Sequence, residues 1–197
     1  GVTISGYYAY LADQASGLAV IDISDPSDPG DPIYKELLGF ASDVAVNGNY
    51  AYVASSDAGL AIIDVTDPTN LGTPTYINVG GSTQKITING DYAYLTNSTM
   101  DLVIIDISDP LNPGTPIYTT IAQASNFSVS NVKIMGNYAY CTDWYGLAVI
   151  DISDPTNPGV PIRMETTGNA TSIGVSGNYA FVGHGIYNYG LEVIQTG

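Results

Sequence analysis

Carboxylates spaced three residues apart are the first feature of this 197-residue chain that could do chemistry. Asp22 and Asp25, Asp64 and Asp67, Asp106 and Asp109, and Asp151 and Asp154 each enclose two residues, and the second member of every pair precedes a proline. Such pairs could converge on a cation, and "DPSDPGDP" at 25–32 is the most acidic stretch. The prolines and the absence of a calcium loop's ligand spacing argue for turns instead. An Asp before Pro is held extended, and its carboxylate accepts turn N–H groups. No metal and no other cofactor is therefore expected. Cys141 is the single cysteine and His184 the single histidine. With one His in the chain, Cys141 has no obvious base to activate it. No catalytic residue is assigned, and the chain is not expected to be an enzyme.

The elements that would position these groups are written repeatedly. "GLAVIDISDP" stands at 17–26 and again at 146–155, with "GLAIIDVTDP" at 59–68, "DLVIIDISDP" at 101–110 and a shortened "GLEVIQ" at 190–195. "GYYAY" at 6–10 returns as "GNYAY", "GDYAY", "GNYAY" and "GNYAF" around Ala51, Ala93, Ala139 and Ala180. A catalytic site needs its residues once, whereas a structural unit needs them every time. The four Asp pairs therefore belong to the unit, and Cys141, which aligns with Leu11, Val53, Leu95 and Val182, is a small core hydrophobe.

Each unit reads as four short strands. Val2/Ile4, Val44/Val46, Ile86/Ile88, Val132/Ile134 and Ile173/Val175 form the first, with Thr3, Ala45, Thr87, Lys133 and Gly174 between them. A tight turn leads to "YAYVA", a loop to "GLAIIDV", and an Asp-Pro segment to a weaker fourth strand such as "PIYTT". Four strands per unit of about 42 residues is the period of a propeller blade. The expected fold is an all-β, five-bladed β-propeller in one domain, with blades at about 1–40, 41–82, 83–128, 129–169 and 170–197, closing as a ring, the last blade incomplete.

"GNYAYVA…GLAIIDVTDP" resembles the LVIVD repeat family, β-propeller repeats of bacterial and archaeal surface and secreted proteins. The resemblance covers nearly the whole chain. It implies the blade fold and an extracellular or cell-surface setting, and it brings no shared catalytic motif. The fifth unit departs from the pattern by ending before its Asp-Pro turn.

Composition narrows the partners. A net charge of −15, with four Lys and Arg in all, disfavours nucleic acid and anionic membranes. No apolar run is long enough for a transmembrane helix. Tyr is heavily used, at 16 residues, which suits half-buried strands and contact surfaces.

Departures from the repeat gather on one face, where strand two meets strand three and one blade meets the next. Trp144 and Tyr145 stand in such a loop of the fourth unit. His184, Tyr187 and Tyr189 stand in the longer loop of the fifth. Together they form a candidate patch for a sugar or a protein partner. Asp43, Lys85, Asn131 and Ser172 should ring the channel mouth on that side. The sequons at Asn97, Asn126 and Asn169 map to the same face and are expected to be solvent-exposed glycan acceptors. The strand Leu191, Glu192, Val193, Ile194, Gln195 lacks an outer neighbour and is a candidate assembly edge. The first expectation is a self-assembling structural subunit of a surface layer or filament, hence a homo-oligomer or homopolymer. The alternative is a binding propeller that uses the loop face for glycans or another surface protein.

Overall fold

The computed structural model describes residues 1–99, 101–121, 129–185 and 190–196, and these contain strands and turns but no helix. Blade one holds β1 (Val2–Ser5), β2 (Tyr8–Ala12), β3 (Leu18–Asp22) and β4 (Ile33–Lys35). Blade two holds β5 (Asp43–Asn47), β6 (Tyr50–Ala54), β7 (Leu60–Asp64) and β8 (Thr75–Ile77). Blade three holds β9 (Thr83–Asn89), β10 (Tyr92–Asn97), β11 (Asp101–Asp106) and β12 (Ile117–Thr119). Blade four holds β13 (Asn131–Met135), β14 (Tyr138–Asp143), β15 (Gly146–Asp151) and β16 (Ile162–Glu165). Blade five holds β17 (Ala170–Ser176), β18 (Tyr179–His184) and β19 (Gly190–Gln195). Four sheets are four-stranded and the fifth is three-stranded, all antiparallel in sequence order. The fold is a five-bladed β-propeller with an incomplete last blade.

The repeated residues make these elements for local reasons. Gly6, Gly48, Gly90, Gly136 and Gly177 take φ of +55° to +58° in the turn between the first two strands, a conformation costly for a Cβ. At the other end of the third strand the carboxylates close turns. The Ser24, Thr66, Ser108 and Ser153 N–H groups donate to Asp22, Asp64, Asp106 and Asp151 at 2.8–2.9 Å. Asp25, Asp67 and Asp154 each accept the backbone N–H and the hydroxyl of the residue two further on, the hydroxyl at 2.6 Å. Asp109 accepts from Leu111 and Asn112. These bonds hold all eight carboxyls below their ordinary range.

The hydrophobic core lies between blades rather than within them. Each strand presents alternate side chains to the blade before and the blade after. Tyr52, Leu60 and Ile62 of blade two pack on Ile86, Leu95, Val103 and Ile105 of blade three. Tyr94, Leu102 and Ile104 then pack on Val132, Cys141 and Ile150. Four such layers join five blades. Burial pushes the Tyr52 and Tyr94 phenols up to about 12.

The expected closure of the ring is not found. Innermost strands of consecutive blades pack together, β1 with β5, β5 with β9, β9 with β13 and β13 with β17, but β1 and β17 have no comparable packing. The physical reason lies in the layer just outside the axis. Tyr10, Tyr52, Tyr94 and Tyr140 fill each gap at the second strand. Side chains of that size near the axis narrow the angle between neighbouring blades, so five blades span less than a full turn.

Candidate functional site

Hydrogen bonds between blades establish the face expected to carry function. Gln14, between β2 and β3, exchanges backbone bonds of 3.0 Å with Ala41, and in the next blade the Thr83 N–H donates to the Ser56 carbonyl at 3.1 Å. Loops joining the second and third strands therefore lie beside the connections between blades. Of the residues expected around the channel mouth, Asp43 Oδ2 accepts the Ile86 N–H at 3.3 Å and faces Lys85 Nζ at 4.0 Å. Asn131 donates to the Thr171 carbonyl at 3.0 Å. These side chains join neighbouring blades.

Trp144 and Tyr145 form the turn between β14 and β15, each somewhat over a third exposed. With Glu165, Thr166, Thr167, Gly168 and Asn169 they line a cleft of about 340 Å³. Tyr187 and Tyr189 lie outside the described residues. His184 is the last residue of β18 rather than a loop residue, and its side chain is nearly buried with Nε2 3.5 Å from Glu192 Oε2. Glu192 Oε2 also accepts from the Thr167 N–H at 3.2 Å and hydroxyl at 3.3 Å. The structure thus brings Trp144 and Tyr145 together, and Glu192 links His184 to Thr167 of their cleft. A cleft of about 490 Å³ also opens on the opposite face, lined by Met135, Tyr138, Tyr140 and Asn178 among others and by no charged side chain.

The expected exposure of the sequons is corrected at two positions. Asn97 is 1% exposed because its side chain locks the turn after β10: Oδ1 accepts the Thr99 N–H at 2.8 Å and hydroxyl at 2.9 Å. Its amide donates to the Val79 carbonyl at 3.4 Å. Asn169 is 7% exposed, with no hydrogen-bond partner at Oδ1. Asn126 lies outside the described residues.

Sequence reasoning missed a charged pair under the Trp144–Tyr145 turn. Asp143 Oδ2 lies 2.7 Å from an Arg163 nitrogen, and Oδ1 accepts from Arg163 at 2.9 Å, Tyr145 N–H at 2.8 Å and Gly146 N–H at 3.0 Å. Arg163 also donates to the Ile121 carbonyl at 2.8 Å. The signal was present. Arg163 is the one position where a column of Tyr34, Tyr76 and Tyr118 changes residue type.

The ends of the blade stack differ from its interior. Val44, Ile86 and Val132, which face the preceding blade, are 5%, 7% and 2% exposed, but the equivalent Val2 is 66% exposed. Leu60, Leu102 and Leu147, which face the following blade, are fully buried, but the equivalent Leu191 is 66% exposed.

The LVIVD repeat signature matches residues 1–31, 38–74, 80–117, 128–166 and 167–189, one match per blade. The chain belongs to the LVIVD repeat family. No curated protein matches the sequence. Among solved structures, the Swd1 β-propeller domain from Myceliophteria thermophila is similar at 12% identity and a TM-score of 0.64, over 93% of this chain and 64% of that one. BamB from Moraxella catarrhalis is similar at 13% identity and a TM-score of 0.70, over 100% and 57%. A putative 6-phosphogluconolactonase from Bacteroides fragilis is similar at 15% identity and a TM-score of 0.73, over 93% and 62%. At these identities the likeness is one of fold, and the chain spans less than two thirds of each of these proteins.

Close approach of the fourth strand accounts for the glycine at the start of the third strand in three LVIVD blades. At Gly17, Gly59 and Gly146 an added Cβ would lie 2.2 Å from a carbonyl oxygen of the fourth strand. Blade three has Asp101 there instead, and the register shifts between Asp101 and Leu102. Among the described residues, Gly190 of blade five has nothing within 4 Å of that position, because no fourth strand of them runs beside β19.

Proposed function

We propose that this LVIVD chain is a non-catalytic structural protein of the cell surface or extracellular space that works as an assembled homo-oligomer or homopolymer. Exposed apolar surface carries the reading: Val2 and Ile4 of β1 are 66% and 67% exposed, and Leu191 and Val193 of β19 are 66% and 53% exposed. Contiguous exposed apolar surface on a soluble protein marks a contact site. The acidic groups fit the non-catalytic part of the proposal, because the eight Asp carboxylates of the repeat are engaged in their own turns. Sedimentation velocity across a concentration series, with electron microscopy of natively sourced material, tests it. Ordered assemblies support the proposal, and a monomer at every concentration refutes it.

A second reading has its own observation. The cleft beside Trp144 and Tyr145 contains the partnerless, buried Asn169 Oδ1 together with Glu165 and two threonines. Flat aromatics beside such polar groups suit the faces and hydroxyls of a sugar. Glycan-array binding that disappears in Trp144→Ala would favour this binding-module function over the structural one.

A further inference from the structure

In the cleft beside the Trp144–Tyr145 turn, the hydrogen-bond donors are spent and the acceptors are not. Trp144 and Tyr145, 37% and 41% exposed, form one wall. Glu165 at the end of β16 and the connection to blade five, residues 166–169, form the rest. The Thr166 hydroxyl donates to the Gly168 carbonyl at 2.7 Å, and the Thr167 hydroxyl donates to Glu192 at 3.3 Å. The Glu165 carboxylate is exposed. Asn169 is 7% exposed, and its Oδ1 has no hydrogen-bond partner. A buried acceptor left unpaired is costly, so such an atom marks a place where a donor is received. Among the described residues no Lys, Arg or His lines the cleft, and Arg163 beneath the turn is held by Asp143 at 2.7 Å.

The corresponding place in blade one supplies a contrast. Glu36 follows β4 as Glu165 ends β16, but the turn beside it is Ala15–Ser16 and the cleft is smaller, at about 250 Å³. Blade four has added an aromatic turn and a buried amide to a carboxylate that blade one also carries.

We infer that the blade-four cleft takes a sugar bearing a free amino group, with its ammonium against Glu165 and Asn169 Oδ1 and its ring against Trp144 and Tyr145. This inference rests on the binding-module reading above and names its ligand class. An ammonium has donors and no acceptor, which matches acceptors that have no donor beside them. The faces of Trp and Tyr attract a cation and also suit the apolar face of a sugar ring. The net charge of −15 draws cations toward the surface. The hydroxyls of a neutral sugar would satisfy Asn169 Oδ1 but leave Glu165 without a counter-charge.

Titration calorimetry with the four-sugar fragments of chitosan, chitin and cellulose tests this. The three share one backbone and carry an ammonium, an acetamide or a hydroxyl at the same carbon. The chitosan fragment should bind at least about tenfold more tightly than the other two. Glu165→Gln should remove most of that preference, and Asn169→Ser, which copies Ser82, should weaken binding of the chitosan fragment. Trp144→Ala should abolish binding of all three, and Tyr145→Ala repeats the test on the second ring. Asp31→Asn removes the same charge at an exposed position outside the cleft and should change nothing. Thermal unfolding of every variant reports that the blades remain intact. Equal affinity for the three fragments, lost in Trp144→Ala, overturns the inference and leaves the binding reading standing. A chitosan preference that survives Glu165→Gln, or falls as much in Asp31→Asn, is attraction to the acidic surface and overturns the inference. No binding of any fragment overturns both readings of the cleft.

Discussion

The layer between blades two and three and the two ends of the stack are made of the same residue types in different surroundings. In the interior layer Tyr52, Leu60 and Ile62 meet Ile86, Leu95 and Val103, and water is excluded from all six. At the ends the equivalent Phe181, Leu191 and Val193, and across the stack Val2 and Leu11, remain partly or largely in contact with water. The contrast teaches that an LVIVD blade is a half-product. Its two apolar faces are stabilised only when a neighbour covers them, so a stack that does not close leaves one face of each kind.

Mutations of equivalent residues turn this contrast into measurements. Tyr94→Ala opens a cavity between blades three and four and should lower unfolding free energy by about 3–5 kcal/mol in denaturant titration. Phe181→Ala, at the corresponding place on the bare face, should change the monomer by less than about 1 kcal/mol. Equal effects would remove the distinction between interior and end.

Arg163→Met strands the buried Asp143 without its counter-charge and should cost about 3–5 kcal/mol. Asp143→Ser combined with Arg163→Tyr copies Ser55 and Tyr76 of blade two and should recover most of that loss. A double variant as unstable as the single one would show that blade four differs from blade two in more than this pair.

Gly59 has φ +84° and faces the Ile77 carbonyl. Gly59→Ala should destabilise by roughly 2–3 kcal/mol, while Gly190→Ala, with nothing in its way, should leave the monomer's melting temperature unchanged. If Gly190→Ala spares folding yet abolishes assembly, a strand from another copy lies against β19.

Smaller effects come from charge. The eight turn carboxylates have folded pKa values below their unfolded ones, so the unfolded chain binds protons first as pH falls. Their stabilisation is present above the ordinary carboxylate pKa and is lost as pH drops below about 4 and through the depressed folded values. Thermal melts should show this loss in wild type and a weaker one in Asp25→Asn/Asp67→Asn. The smallest effect is ionic. With a net charge of −15, copies repel at long range, and salt screens that repulsion without weakening apolar contact. Sedimentation should show stronger association at about 0.5 M salt than at about 0.05 M.

Much of this was legible in the residues alone. The Ala9, Ala51, Ala93, Ala139 and Ala180 column set the number of blades, and the Asp-Pro pairs announced their turns, because both rest on contacts a few residues long. Cys141 read correctly as a core residue because its aligned neighbours are Leu and Val, and it is buried in the layer between blades three and four. Asn97 read wrongly as exposed. A sequon at the end of a strand carries no record of whether the side chain points outward or, as here, back across the turn to Thr99 and Val79.

The sequence by itself determined the blade: strand order, hairpin glycines, carboxylate-locked turns and the alternation that gives every sheet two apolar faces. Those features depend on local backbone preference and a period of two, which a short stretch of residues encodes completely. Only the tertiary structure decided that the ring stays open, that Asp143 finds Arg163, and that Val2 and Leu191 lack the neighbours that Val44 and Leu60 have. Each of these is a relation between blades, and the angle at which one blade settles on the next depends on how whole side chains such as Tyr52 and Tyr94 fill the gap between them.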